Sequence, residues 1–214
     1  MLYRSAQTLT ASLLAGLVVS VSLAFAESSP DALVAEMRRS FTLDGKPVPP
    51  EIFRDFGDGD LADSGPIWVT IDVKAAIGSN LYFDTITKNG TWLVQRKVQT
   101  PPLGPPFGDE LTSYSYIGAA DNGLLVVLAS YSGGGSGDFI TLHILDAAAG
   151  RGFDDDGKVY DRLNLTNVQS IPLGDRWSGD VTISHNTVTI VTERAGPTDD
   201  SGVRRTTTIE ASRP

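Results

Sequence analysis

The chain has 214 residues, 41% of them hydrophobic, a formal net charge of −9 and no cysteine. The missing thiols exclude disulfides, thiolate zinc sites, cysteine nucleophiles and c-type haem attachment. The acidic balance, with basic residues scattered rather than clustered, argues against nucleic acid and makes anionic membrane surfaces poor partners.

At the N-terminus, Met1–Thr8 carries one positive charge, Arg4, and no acid. Leu9–Leu23 is apolar and uncharged, and Ala24-Phe25-Ala26 has the small-x-small form that signal peptidase cuts. These features predict a secretory signal peptide, residues 1–26, cleaved after Ala26. The apolar run is short against the about 20 residues of a membrane span, and no later segment is apolar enough to cross a bilayer. Removing 26 of 214 residues leaves 188, enough for one domain with a full core over 27–214. Losing Arg4 takes the charge from −9 to −10. Export without cysteine suits a Gram-negative periplasm, or secretion, and there is no cysteine to lipidate.

Ser29-Pro30 followed by Leu33, Val34, Met37 and Phe41 predicts one short amphipathic helix, with Ser29 as cap and Pro30 in the first helical position. The remainder alternates with period two. "IWVTIDV" sets Ile67, Val69, Ile71 and Val73 on one face. Asn89-Gly90 and Asn122-Gly123 join flanking strands as hairpin turns. "FITLHIL", "GDVTISHNTVTIVTER" and "VRRTTTIEA" supply later strands. The pattern predicts a mainly β fold: an antiparallel sandwich or barrel of about nine or ten strands, with the one N-terminal helix. The proline-rich stretch 100–109 is either a long surface loop or a weak boundary.

Candidate chemistry falls in a few places. Asp55, Asp58, Asp60 and Asp63 form one aspartate-glycine stretch; Asp154, Asp155, Asp156 and Asp161 form a second. Alternate carboxylates in a glycine-bent loop can ligate calcium, so Asp154, Asp156 and Asp161 are candidate ligands. Gly152 and Leu163 occupy the end positions of an EF-hand-type loop, and Asp-Gly is also an ordinary hairpin turn. The two histidines, His143 and His185, are too few for a three-histidine zinc site, and no G-x-S-x-G surrounds any serine. Asp109-Glu110 is the one adjacent acid pair next to a plausible cleft rim, and glycoside hydrolysis needs two such carboxylates. In "ASYSGGGSGDF", Ser132, Ser136 and the glycines Gly133–Gly137 form either a plain strand connection or a backbone nest for an anion or sugar hydroxyl. "LGDRWSGD" sets Arg176 beside Trp177 in a polar loop; an indole and a guanidinium together can stack on a sugar ring or anchor a partner protein. Trp68 and Trp92 sit inside strand patterns.

"FTLDGKPVPPEIFRDF", "YSGGGSGDF" and "LGDRWSGDVTI" resemble a group of secreted bacterial β-rich proteins with no assigned activity. The resemblance covers roughly half of the chain and implies no site residue. Small periplasmic β-barrels that inhibit lysozyme are a second comparison, but Ser132, Ser136, Ser178 and Ser201 each precede a glycine without the tyrosine of the inhibitor motif. The sequence thus reads as a non-catalytic periplasmic β-domain that binds an envelope protein or glycan. A carboxylate-based hydrolase of envelope polysaccharide and a calcium-stabilised structural module stay open beside it.

Overall fold

A computed structural model of the chain describes residues 29–54, 56, 69–78, 85–97, 108–194, 196, 198 and 202–213. Residues 1–26, expected as a signal peptide, the first aspartate stretch, Trp68 and residues 100–107 lie outside these described residues.

Helix α1 spans Pro30–Ser40. Ser29 caps it by accepting from the Ala32 N–H at 3.3 Å, and Phe41 ends it in the left-handed region, φ 54°, donating its N–H to the Met37 carbonyl at 2.9 Å. A non-glycine residue there costs roughly 1 kcal/mol. Burial of the Phe41 ring offsets it: the ring packs on Tyr114 and Tyr116 with centroids 5.1 and 5.4 Å away. Two short strands follow, β1 (Thr42–Leu43) and β2 (Lys46–Pro47), then a 3-10 helix at Pro50–Arg54. The Glu36 carboxylate ties the β1–β2 turn to α1 by accepting from the Thr42 hydroxyl and the N–H groups of Asp44 and Gly45.

The main sheet has seven strands, every neighbouring pair antiparallel: β3 (Thr70–Asp72), β4 (Thr87–Asn89), β5 (Trp92–Lys97), β6 (Glu110–Ala119), β7 (Leu125–Ser132), β8 (Phe139–Phe153) and β9 (Val159–Asp175). Its spatial order is β3-β9-β8-β7-β6-β5-β4, so β4 to β9 form a meander that β3 extends beyond β9. A second antiparallel sheet, β10 (Ser178–Ser184), β11 (Thr187–Arg194) and β12 (Arg205–Glu210), packs on one face. There Leu124, Val126 and Leu128 cluster with Leu142 and Ile144 of β8 and with Val188 and Ile190 of the small sheet. On the other face, Leu125, Val127 and Ala129 meet α1, the β1–β2 ribbon and the 3-10 helix through Leu33, Met37 and Phe53. Strand β7 is therefore buried on both sides, which explains its unbroken apolar run where a one-faced strand would alternate.

The fold is mainly β, as the alternation predicts, and it is an open sandwich with an extra N-terminal layer rather than a closed barrel. Among the described residues there are twelve strands, beside the about nine or ten expected. Part of the excess is the two-residue ribbon strands; part is β9, the longest strand, whose apolar residues are interrupted by Asp161, Asn164, Asn167 and Gly174. The strand expected to run to Val73 stops at Asp72. Asp72 accepts from the N–H groups of Lys74 and Ala75 at 3.0 and 3.4 Å and so caps a second short helix, α2 (Val73–Gly78).

Candidate functional site

One end of the sandwich gathers three distant stretches: the glycine connection between β7 and β8, the turn between β9 and β10, and Gly108 before β6. Asp138, directly after the glycines, is the clamp. Its carboxylate accepts from the Ser130 hydroxyl, its N–H donates to Asp175 Oδ1 at 2.8 Å, and its carbonyl accepts the Arg176 N–H at 2.6 Å. Arg176 holds φ 53°, and its Nε lies 3.5 Å from Asp175 Oδ1 while its side chain stays 41% exposed. The sequence pairing of Arg176 with the Ser132–Gly137 stretch is therefore a real juxtaposition.

The glycines do more than turn the chain. Gly134 adopts φ +85° and its carbonyl accepts the Gly108 N–H at 2.6 Å; a Cβ at position 134 would stand 2.2 Å from the Gly108 carbonyl oxygen. Gly137 lies against the Phe139 ring, where a Cβ would come within 2.9 Å. Close backbone approach is thus what the loop requires at 134, while at 137 the neighbour is the movable Phe139 side chain. Ser136 is exposed, and Ser132 is half-buried at the strand end opposite Leu111.

Trp177 turns inward. Its indole N–H donates to Thr192 Oγ1 at 2.9 Å, and its ring is half-buried against the core between the two sheets. Gly179 makes room for it, since a Cβ there would stand 2.7 Å from the ring. Trp177 anchors the turn that presents Arg176. The exposed aromatic at this end is Phe139, 56% exposed, which the strand pattern of "FITLHIL" conceals. Asp138 and Asp175 were equally hidden, although an aspartate closing a glycine run is a recognisable turn-stabilising signal.

The other candidates sit elsewhere. Glu110 is buried, with Arg54 Nε at 3.0 Å and Lys97 Nζ at 3.8 Å, while Asp109 faces Arg96 at 3.6 Å. Each carboxylate of this pair is held by its own cations. At the far end of β8 and β9, the second aspartate stretch forms a hairpin turn. Asp154 Oδ1 accepts from the N–H groups of Asp156 and Lys158 at 3.0 and 2.8 Å, and Gly157 takes φ +76°. Asp161 lies 4.0 Å from Arg151. Asp154, Asp156 and Asp161 are therefore not drawn together, and among the described residues no three His, Asp or Glu side chains gather as a metal site.

His143, 4% exposed, packs against the rings of Phe53 and Phe56, with centroids 5.3 and 5.8 Å away. A bulge in the β8–β9 register brings Asn167 and Ser170 to the same side of the ring. His143 Nδ1 is 3.0 Å from Ser170 Oγ and 3.4 Å from Asn167 Oδ1, and Asn167 Nδ2 donates to Ser170 Oγ at 2.7 Å and to the Phe56 carbonyl at 3.3 Å. Burial lowers the imidazole pKa to about 4, against the opposing hydrogen bond with Asn167, so the ring is neutral at pH 7. Both polar partners use the same nitrogen, and so weak a base removes little proton from serine at neutral pH. The trio satisfies buried polar groups and ties Phe56 to the sheet. His185, on the exposed β10–β11 turn, meets Asp121 Oδ2 at 2.8 Å and stitches that turn to the β6–β7 turn.

Comparison with protein-family models, curated proteins and solved structures finds no match. No helix among the described residues is long and apolar enough to cross a membrane.

Proposed function

We propose that the chain is a non-catalytic binding domain of the periplasm or extracellular space, which takes an envelope component or partner protein at the sandwich end carrying Arg176, Phe139 and the Gly133–Gly137 connection. The observation that carries this reading is the Asp138 clamp. It ties the start of β8, beside the exposed Phe139 ring, to Ser130 of β7 and to Asp175 and the Arg176 backbone at the end of β9, so that the exposed Arg176 and Phe139 side chains rise from one pinned stretch of backbone. Arginine and aromatic side chains are enriched at binding hot spots, and a pinned backbone beneath them reduces the ordering cost of binding. Export rests on the leader-like residues 1–26 and the absence of cysteine.

The test uses the purified chain as bait for envelope fractions, with soluble and glycan-containing material assayed separately. Capture of one component by the wild type is expected to drop at least tenfold in Arg176→Ala combined with Phe139→Ser, with the melting temperature retained. Equal capture by this variant removes the surface from consideration.

A further inference from the structure

An aromatic ring, a carboxylate and a guanidinium converge on Gly137. A Cβ built at this glycine would stand 2.9 Å from the Phe139 ring and 3.8 Å from Asp175 Oδ1, and Arg176 Nε lies 3.5 Å from that same oxygen. Strand register extends the row. Thr112 pairs with Tyr131, Tyr131 with Phe139 and Phe139 with Asp175, so these side chains share one face of the main sheet. The half-buried Tyr131 ring has the Arg54 guanidinium 5.8 Å from its centroid, and its hydroxyl lies 3.4 Å from a Cβ built on Gly133. Two rings therefore stand at the two ends of the glycine connection, with a guanidinium beside each. Leu111, also exposed, pairs with Ser132 and so belongs to the opposite face. Phe139 is left as a flat apolar ring set among polar groups.

Both guanidinium groups are already matched. Arg54 Nε is 3.0 Å from Glu110, which also takes Lys97 Nζ at 3.8 Å, and Arg176 is held by Asp175. Three cations, Arg54, Lys97 and Arg176, thus meet three carboxylates, Glu110, Asp138 and Asp175. The chain as a whole carries −9, so its field repels an anionic polymer and the row does not reverse it. A guanidinium beside a carboxylate offers donors and acceptors together, which is what a hydroxyl needs, being both. One ring among ion pairs is too little apolar area for the core of a protein interface. It does match the C–H face of a pyranose whose hydroxyls are all equatorial and lie at the rim. Resting on the binding reading above, we propose that the ligand at this end is a neutral, β-linked chain of glucose or N-acetylglucosamine units. One sugar stacks on Phe139 with its rim hydroxyls on the Arg176–Asp175 pair, and the chain runs on toward Tyr131 and Arg54.

The probes are cellohexaose and chitohexaose, with hexagalacturonate as the charged counterpart, titrated calorimetrically into the purified chain. At least one neutral oligomer is expected to bind, and which one does so tells glucose from N-acetylglucosamine. Its affinity should change less than about twofold between low and high salt, since no net charge is being paired. Phe139→Leu keeps apolar bulk without a flat ring and should weaken binding about tenfold, as should Arg176→Gln, while Phe139→Tyr should retain it. Phe153→Leu, at an exposed ring at the other end of β8, should change nothing. Melting curves check that each variant is folded. Binding of neither neutral oligomer overturns the proposal. So do preference for the galacturonate, loss of affinity with salt, full affinity in Phe139→Leu, or an equal loss in Phe139→Leu and Phe153→Leu. Failure here is distinct from failure of the binding reading. An envelope protein captured through Arg176 and Phe139, with neither oligomer bound, overturns the glycan and leaves the surface standing; capture indifferent to both residues removes the two together.

Discussion

Acid should weaken this fold through His143, by an amount the structure sets. In the unfolded chain the imidazole takes up its proton near pH 6.5; in the folded protein burial holds proton uptake back to about pH 4. Between these values the unfolded state binds more protons, so stability falls as pH falls. The contribution is fully present above pH 6.5 and lost by the time pH reaches 4. At about 1.4 kcal/mol per pH unit, the loss between pH 7 and pH 4 is roughly 3 kcal/mol. For a chain of this size that is a melting-temperature drop of roughly 6–12 °C. The assay is urea unfolding at both pH values for wild type and His143→Gln. Glutamine keeps a polar partner for Ser170 and Asn167 but does not titrate. The variant is expected to lose about 1–3 kcal/mol at pH 7, and its further loss on going to pH 4 should be about 3 kcal/mol smaller than that of the wild type. Carboxylates elsewhere titrate alike in both proteins and cancel in the difference. An equal acid loss in wild type and variant would refute the reasoning, because the proton would then be entering somewhere other than His143.

Three further outcomes are expected. Gly134→Ala should cost more than about 2 kcal/mol, from positive φ and collision with the Gly108 carbonyl, while Gly135→Ala, whose Cβ meets nothing within 4 Å, should be near neutral; chemical denaturation separates them. Asp72→Ala should cost about 2 kcal/mol by uncapping α2 and releasing Tyr160 and Arg162, clearly more than Tyr160→Phe, and hydrogen exchange should show the β8–β9 ribbon opening more in the first. Calcium or a chelator should leave the melting curve unmoved, because Asp154 already spends its carboxylate on the N–H groups of its own turn; a rise on calcium addition would show that the turn rearranges to bind it.

Most of the fold was legible because period-two burial leaves its mark on side chains. The helix was legible for a different reason: Ser29 and Pro30 announce its start, and Leu33 and Met37 fall on the buried face. The β8–β9 ribbon was not. Its Ala, Gly, Asn and Asp residues have poor strand propensity, and alternation fades where only one face, or neither, meets a core. What holds it straight is non-local: fifteen paired positions with β9 and the brace at Asp72, a residue far away in sequence. The extent of a strand set by its partner cannot be read from its own composition.

The candidate site shows the same division more sharply. Arg176 and the glycine run were visible as residue types suited to binding, but the force that joins them is carried by Asp138 and Asp175, two members of a chain with 26 acidic residues. Only the pairing of Phe139 with Asp175 across β8 and β9 brings those aspartates together, and that register depends on bulges at two points along the same pair of strands. Trp177 illustrates the converse. An indole in a polar loop has the composition of a hot spot, yet Gly179 beside it opens the space into which the ring folds, and Thr192 on the next strand takes its N–H. A bulky aromatic next to a glycine that another strand's backbone approaches to within 1.9 Å of a Cβ position is being packed, not displayed. The displayed ring is the one at the strand's first residue, Phe139, where the sheet ends and the described residues leave 56% of it exposed.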